Sequence, residues 1–425
     1  MNPSGQRANQ ADTTLVIRLA FLAGSAFLLA TGFRVFPWTG SSAISVVVTL
    51  SMYLGALTLA IAALLAQLRL RTATLILAVA FLLGATASVA YGILFEIPTY
   101  GTDVMTFTHA GGETLLRGDN PYSATIEEVR PILDELGYRD SLTTPTEDGQ
   151  ALTKIIYYPG GHVLSFTLFL ALGLDDLRWV TFLFEVAAFL VVWLMVSPVT
   201  RLLLPMVLAL EPFLWTIFTG GGTSDWVWVL PLVVSAWMLG TGRMTWAGFW
   251  LGIACAVKQH PWFAVPFVAV YVYKETRDEG LSQFGVFLSM LGLGFLLPNL
   301  PFIVWNPSDW IEGILGPATL DLVPAGSGLS LLVSQGWVEA SRATFTFVMV
   351  MIGVGLVISY WFLYRRLKDL LWLLPPVILF FSHRSLHSYF VYWLPLVVLW
   401  LDMSVTQAGR APTGSAIPDA AEGAR

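Results

Sequence analysis

The chain has 425 residues, of which 56% are hydrophobic and only 12% are charged. A water-soluble domain carries about 25% charged residues, so this chain lacks the polar shell that a soluble protein of its length needs. The composition therefore excludes a soluble globular domain and predicts an all-α, polytopic integral membrane protein. The formal net charge of −6 argues against nucleic acid as a partner, because nucleic acid binds basic surfaces.

The apolar segments predict about twelve transmembrane helices. They lie near residues 14–33, 43–66, 73–96, 178–198, 202–219, 225–241, 244–257, 261–274, 284–304, 343–364, 369–381 and 389–404. The segments 244–257 and 261–274 are short for a crossing, which needs about 20 residues, so they either cross a thinned site or form a re-entrant pair. Residues 1–13 are expected to be a cytoplasmic tail rather than a signal peptide, residues 14–404 a single transmembrane domain, and residues 405–425 a disordered tail.

The positions of Lys and Arg predict the topology, because cytoplasmic turns carry an excess of both. If the apolar run His162–Leu174 does not cross the membrane, most basic turns fall on the face that holds the amino terminus. These turns contain Arg69 and Arg71, Arg201, Arg243, Lys274 and Arg277, and Arg365, Arg366 and Lys368. We therefore expect His162–Leu174 to form a helix of about 13 residues at or dipping into the outer interface.

This topology places most of the chemically useful polar residues on the extracytoplasmic side. The stretch 97–156 lies there, with ten acids and four bases, inside an outer loop predicted at 97–175. The same face receives the turns 220–225, 258–261 and 382–388 and the stretch 305–342. This one-sided distribution favours chemistry at a membrane surface. A transporter or lipid flippase, which needs a polar path through the midplane, and a noncatalytic scaffold remain the alternatives.

The first motif is Gly101–Tyr122, GTDVMTFTHAGGETLLRGDNPY. It predicts a helix over Asp103–Arg117 that ends at Gly118 in the left-handed conformation. Asp103 either caps the start of this helix or serves as a functional carboxylate near the headgroups. His109 and Glu113 are four residues apart and therefore share one face of the helix.

Two glycine-containing motifs follow. In YYPGG, Tyr157 and Tyr158 fit either an interfacial aromatic belt or a substrate contact. In TGGGTSDW, three glycines precede Asp225. Asp225 either caps the next helix or lies where a ligand can approach the glycine backbone closely.

Two basic motifs complete the set. In AVKQHP, Lys258 and His260 stand between apolar runs with no nearby acid, so Lys258 needs a carboxylate or an anionic ligand such as phosphate. In SHRSLHS, Arg384 and His387 lie in a turn, and an arginine there is a good bidentate phosphate ligand. The five histidines show no ligand spacing and Cys255 is the one cysteine, so neither a metal nor another cofactor is expected.

Taken in order, these motifs resemble the GT-C class of membrane glycosyltransferases, which take sugars from polyprenyl phosphates at the outer membrane face. The chain is most similar to the branch of polyprenol-phosphate-mannose-dependent α-mannosyltransferases, over roughly residues 73–400. The resemblance rests on the loop Asp before LLRGDNPY, on YYPGG, the glycine-rich turn, AGFWLGIACAVKQHP and HRSLHSYF. Two spans precede the helix that usually comes first in this class, and GGGTSD stands where many relatives have Gly-Gln.

The resemblance implies an inverting transfer of a hexose, most simply mannose, from a polyprenyl-phosphate-linked donor to a glycan or glycolipid acceptor. Another lipid-linked sugar, such as a pentose or glucose, is the remaining alternative for the donor. Asp103 is then the general base, and Lys258, His260, Arg384 and His387 hold the donor phosphate. Substrate contacts are expected from His109, Glu113, Tyr157, Tyr158 and Asp225. The expected location is the plasma membrane, with the lipid bilayer as a partner and the active site facing outward.

Overall fold

The computed structural model describes residues 3–35, 43–65, 68–97, 99–147, 149, 152–209, 218–386 and 388–408. These residues are mostly helical, which confirms the predicted all-α class. The helices are α1 (Pro3–Val35), α2 (Ala43–Leu65), α3 (Leu70–Tyr91), α4 (Asp103–Leu116), α5 (Arg130–Glu135), α6 (Gly160–Ala171), α7 (Arg178–Met195), α8 (Pro198–Ala209), α9 (Trp226–Gly240), α10 (Met244–Val257), α11 (Val265–Thr276), α12 (Leu281–Trp305), α13 (Pro307–Thr319), α14 (Ser330–Ser334), α15 (Arg342–Phe362), α16 (Tyr364–Leu367), α17 (Leu374–Phe380), α18 (Ser388–Val391) and α19 (Leu394–Ala408). A π-helical turn, Gly92–Glu96, extends α3, and 3₁₀ turns lie at Asp140–Leu142, His260–Ala264, Arg277–Glu279 and Lys368–Leu370. Strands β1 (Ala325–Gly326) and β2 (Arg384–Ser385) pair in parallel.

Seven stretches of the described chain are long and apolar enough to cross a membrane. They are Thr14–Phe33, Ser45–Leu64, Leu70–Phe95, Arg178–Met195, Leu281–Trp305, Arg342–Phe362 and Ser388–Thr406, and each matches a predicted span. The predicted spans 225–241 and 244–257 correspond to the shorter apolar helices α9 and α10. The span predicted at 202–219 begins in α8, and its residues 210–217, which include Glu211, lie outside the described part.

Helices α1 and α19 both extend past the predicted spans, α1 by eleven residues before residue 14 and α19 by four residues after residue 404. Helix α1 begins at Pro3, so the described part of the predicted tail 1–13 is helical and continuous with the first span. Helix α19 continues to Ala408, and residues 409–425 of the predicted disordered tail lie outside the described chain. In between, the outer loop predicted at 97–175 contains helices α4, α5 and α6.

The short helix α10 is packed against α12 at backbone distance. A Cβ atom added to Gly252 would lie 2.2 Å from the carbonyl oxygen of Leu291, and one added to Gly294 would lie 2.2 Å from that of Phe249. Small residues let two helix backbones approach this closely without side chains between them. Because α10 is enclosed by other helices, its 14 residues need not match the full thickness of a bilayer by themselves.

One end of the molecule gathers the polar segments that were predicted to share a face. The N–H of Gly101 donates to the carbonyl of Gly221 at 2.9 Å, which joins the start of the outer loop to the glycine-rich turn. The pairing of β1 with β2 joins the stretch 305–342 to the turn 382–388. The side chain of Gln259 donates to the carbonyl of Tyr157 at 2.8 Å and so ties the turn 258–261 to the same end. We call this the polar end.

The opposite end of the molecule carries basic turns. The ammonium of Lys274, in the last turn of α11, lies 4.0 Å from the ring centroid of Trp361, near the end of α15. The indole N–H of Trp400 donates to the carbonyl of Lys368 at 3.3 Å. Basic residues predicted to share the cytoplasmic face thus meet at one end, which we call the basic end.

Candidate active site

A buried ion pair lies within the polar end. The ammonium of Lys258 donates to Oδ1 of Asp225 at 2.7 Å, and these residues are only 5% and 4% exposed. The indole N–H of Trp228 also donates to Asp225 Oδ1, at 2.8 Å. Although Asp225 immediately precedes α9, its side chain makes no capping hydrogen bond to that helix. The Asp225 carboxylate therefore pairs with Lys258 and does not cap the helix. It is the acidic partner that is absent from the sequence around Lys258.

Aromatic rings surround this ion pair. The ammonium of Lys258 lies 5.0 Å from the ring centroid of Tyr158, close enough for a cation–π contact. The His260 ring lies 4.1 Å from that of Tyr389, centroid to centroid, and its Nδ1 is 3.8 Å from Asp225 Oδ1. We call Tyr158, Asp225, Lys258, His260 and Tyr389 the inner cluster. Its members come from four separate segments of the chain.

His260 is the neutral member of the inner cluster. Burial lowers the pKa of His260 to about 3, with the Lys258 charge acting in the same direction and Asp225 opposing it. At neutral pH the imidazole is therefore uncharged, and it can exchange hydrogen bonds with a ligand but adds no positive charge.

Asp103 is the first residue of α4, and the preceding threonine, not Asp103, caps the helix. Thr102 is the cap and accepts from the N–H of Met105 at 3.3 Å. Oδ2 of Asp103 accepts from the backbone N–H and the hydroxyl of Thr144, at 2.9 and 2.8 Å, and Oδ1 accepts from the N–H of Val104 at 2.8 Å. A carboxylate has about four acceptor positions, so Thr144 and Val104 orient this group and leave capacity for one more partner. Asp103 is partly exposed, which keeps that capacity accessible.

Tyr158 of the inner cluster lies within the electrostatic reach of Asp103. Burial raises the pKa of Tyr158 well above its ordinary value, although part of the ring remains accessible. Interactions with Tyr389, Asp103 and Asp225 act in the same direction, and the charge of Arg384 opposes them. Two carboxylates and a guanidinium from distant segments therefore act on one hydroxyl, as expected if they surround one site.

Arg384 is the cation beside the inner cluster with donors to spare. It lies in β2, and its guanidinium makes one long hydrogen bond, 3.5 Å to the carbonyl of Val323. Within the described part of the chain it forms no ion pair. Most of its five N–H groups are thus available for an anion. His387, predicted to act with it, lies outside the described residues.

Three predicted substrate-binding residues do not join the inner cluster. Nδ1 of His109 shares a hydrogen bond with the Tyr100 hydroxyl at 2.8 Å, and Glu113 pairs with Arg117 at 3.5 Å. Burial lowers the pKa of His109, and the charges that act on it are those of Glu113, Asp175 and Asp176. The structure therefore separates this face of α4 from the Asp225–Lys258 pair.

Tyr157 is the third of these residues. The Tyr157 hydroxyl accepts from the N–H of Lys154 at 3.3 Å, and its ring lies against Gly316 of α13. Tyr157 therefore faces α13, while the neighbouring Tyr158 contacts Lys258 of the inner cluster.

The structure adds residues that the sequence motifs did not single out. Tyr389 belongs to the HRSLHSYF motif and could have been chosen, whereas Thr144 lies in a loop with no distinguishing pattern. Arg178 is 2% exposed, pairs with Asp176 at 2.6 Å and donates to the carbonyl of Gly220 at 3.0 Å. An arginine at the polar end runs against the positive-inside tendency, which is the signal that could have identified Arg178.

Comparison with family models, curated proteins and solved structures finds no match to this chain. Among the residues that the structure describes, no group of three or more His, Cys, Asp or Glu side chains is arranged to hold a metal ion.

Proposed function

We propose that this protein is an inverting membrane glycosyltransferase. It moves a hexose, mannose in the simplest case, from a polyprenyl-phosphate donor to a hydroxyl of a glycan or glycolipid acceptor. The observation that carries the proposal is that an accessible, oriented carboxylate and a guanidinium with free donors lie on adjoining segments of the polar end. Thr144 donates to Asp103, the carbonyl of the next residue, Pro145, accepts from the N–H of Val323 at 3.0 Å, and Arg384 donates to the carbonyl of Val323.

The chemistry of transfer needs these two kinds of group. The acceptor oxygen attacks the anomeric carbon while the bond from that carbon to the phosphate oxygen breaks. The hydroxyl proton passes to Asp103 as general base, and the lipid phosphate leaves as an anion without needing protonation. Arg384 offers a planar fork that matches the phosphate and stabilises its growing charge. A single displacement inverts the configuration, unlike the double displacement of retaining enzymes.

Lys258 has a supporting role in this scheme. One N–H group of Lys258 donates to Asp225, so the charge of the ammonium neutralises this buried carboxylate. Only the remaining N–H groups are available to a phosphate. His260 is neutral and contributes a hydrogen bond rather than a charge. The main electrostatic contribution to phosphate binding therefore falls to Arg384, with His387 following it in the same turn.

The proposal includes a topology of about twelve spans in the plasma membrane, with the polar end facing outward. The meeting of Lys274 with the end of α15 at the basic end supports this orientation by the positive-inside rule. A donor anchored by its isoprenoid chain presents its phosphate at headgroup depth. An active site at one end of the helices suits such a donor better than one at the midplane.

A transfer assay with purified protein in liposomes tests the proposal. It offers a panel of polyprenyl-phosphate sugars to wild type and to Asp103→Asn. We expect turnover to fall by roughly 10²–10⁴-fold, which is the usual contribution of a general base, while donor binding is retained. Asp119→Asn is the matched control, because Asp119 is an exposed acid of the same loop, and this variant should retain wild-type turnover.

Two outcomes would contradict the proposal. Near-normal transfer by Asp103→Asn would remove the base assignment. The wild type could also move the lipid-linked sugars across the liposome membrane and transfer none of the sugars offered. That result would favour the flippase alternative instead.

A further inference from the structure

A cavity of about 760 Å³ opens at the basic end. It lies between the end of α11 and the segment that joins α15 to α16, so α11 and α15 separate it from the polar end. Five of its lining residues are bases: Lys274, Arg277, Arg365, Arg366 and Lys368. None of them has a role in the proposed transfer reaction.

The two acids that line the cavity neutralise only part of the charge of the five bases. The carboxylate of Glu275 accepts from the Tyr364 hydroxyl at 2.5 Å, and Asp278 is paired with its neighbour Arg277 at 3.4 Å on the surface. Within the described part of the chain, Arg365 and Arg366 form no ion pair, and both are exposed. The cavity therefore keeps a net positive charge with unused guanidinium donors.

The cavity also lies where a lipid can reach it. Helix α15 is a candidate span, and only 11% of its most apolar 18-residue window is buried within the protein, so most of its apolar surface is open to contact with lipid. Exposed apolar side chains recur along it at helical spacing and lead to the cavity: Phe347, Met351, Val354, Ile358 and Phe362. At the end of this stripe, Trp361 holds the Lys274 ammonium 4.0 Å from its ring centroid.

We propose that this cavity binds the headgroup of an anionic phospholipid from the leaflet at the basic end. The lipid phosphate contacts Arg365 and Arg366, whose planar forks suit phosphate oxygens, and an acyl chain follows the apolar stripe of α15. Generic attraction of a basic surface to anionic lipid would need neither a concave, half-open cavity nor an adjoining apolar stripe. The proposal is independent of the glycosyltransferase proposal, because it uses other residues at the other end.

Lipid-dependent stability and binding test this site. The protein is purified in a neutral detergent, and phosphatidylglycerol, phosphatidylcholine or inorganic phosphate is added separately. We expect phosphatidylglycerol to raise the melting temperature and the other two additions to leave it unchanged. The double variant Arg365→Gln/Arg366→Gln should bind phosphatidylglycerol about tenfold or more weakly. The matched control is Arg69→Gln/Arg71→Gln, which removes two exposed arginines outside the cavity and should bind like wild type.

Equal losses in the two double variants, or protection by phosphatidylcholine equal to that by phosphatidylglycerol, would overturn the proposal. Protection by inorganic phosphate alone would also overturn it, since the site would then be one for a free anion. Photo-crosslinking with an anionic lipid that carries a diazirine in its acyl chain gives a second measurement on the unaltered protein. The expected attachment lies along Ile358–Phe362, and attachment elsewhere would contradict the assigned position.

Discussion

The two ends of this molecule handle charge in opposite ways. At the polar end Lys258 and Asp225 are buried and paired at 2.7 Å, and Trp228 donates to the same carboxylate oxygen. At the basic end Arg365 and Arg366 are exposed and have no ion pair among the described residues. A buried charge needs a partner within the protein to offset the cost of desolvation. An exposed charge stays hydrated and is available to a ligand from solution or the bilayer.

The polar end contains two kinds of charged group. Its buried charges are used internally, to hold the inner cluster together. The groups left for a ligand are the partly exposed ones at its edge, Asp103 and Arg384. Substitutions of the buried pair should therefore lower the free energy of unfolding. Substitutions of Asp103 or Arg384 should change catalysis or ligand binding, and substitutions at the basic end should change the free energy of unfolding very little.

The largest expected effect follows from breaking the buried pair. Lys258→Met leaves the Asp225 carboxylate buried without a cation, and we expect the free energy of unfolding to fall by about 3–5 kcal/mol. Equilibrium denaturation in mixed micelles measures this loss. The double variant Asp225→Asn/Lys258→Met removes both charges and should recover part of it. An unchanged stability in Lys258→Met would mean that the pair is not buried as described.

The next effect concerns ligand handling at the edge of the site. Arg384→Gln removes a charged donor to phosphate, which is worth about 1.5–3 kcal/mol, so the affinity for the polyprenyl-phosphate donor should fall by roughly 10–100-fold. Binding of the donor to purified protein measures this fall. Arg384→Lys keeps the charge but not the fork and should give an intermediate value. A wild-type affinity in Arg384→Gln would exclude this residue from the phosphate site.

A smaller effect depends on pH. The pKa of His260 is about 3 in the folded protein and ordinarily 6.5, so below pH 6.5 the unfolded chain takes up a proton that the folded chain does not. Its contribution to stability is therefore complete above pH 6.5 and declines as the pH falls toward 3. At pH 4.5 the decline should be about 2.7 kcal/mol, since pH 4.5 lies two units below the pKa of the unfolded chain. His260→Gln should lose less stability than wild type between pH 7.5 and pH 4.5, and identical losses would assign the acid sensitivity to other groups.

The smallest effect is expected at the basic end. In neutral detergent, Arg365→Gln/Arg366→Gln should change the free energy of unfolding by less than about 0.5 kcal/mol, because exposed charges away from partners contribute little. The same denaturation experiment measures it. A loss as large as that of Lys258→Met would show that the two ends do not differ in the way described.

Part of the site could be predicted because it depends on local pattern. The helix predicted from Asp103 is confirmed as Asp103–Leu116, and the left-handed residue predicted after it is Gly118, with φ of 91°. Seven of the predicted spans are confirmed as apolar helices of crossing length. The requirement that Lys258 meet a carboxylate or an anionic ligand was also evident, since an unpaired ammonium between apolar runs is costly.

Other features could not be predicted because they depend on which segments pack together. Nothing near Lys258 in the chain marks Asp225, 33 residues earlier, as its partner. Thr144 orients Asp103 from 41 residues further along the chain, and no pattern around Thr144 marks it. The shared face of His109 and Glu113 follows from helical spacing, but the packing of α4 turns that face toward Tyr100 and residues 175–176 instead of the inner cluster.

The sequence by itself determined that this is an all-α membrane protein, which stretches are apolar enough to span, and where the ionisable residues interrupt them. Hydrophobicity and helical period are local properties, and a single chain displays them directly. Only the tertiary structure decided which ionisable residues pair and which stay free. Those pairings join residues tens or hundreds of positions apart, and their strength depends on burial and on distances that arise only when the helices pack.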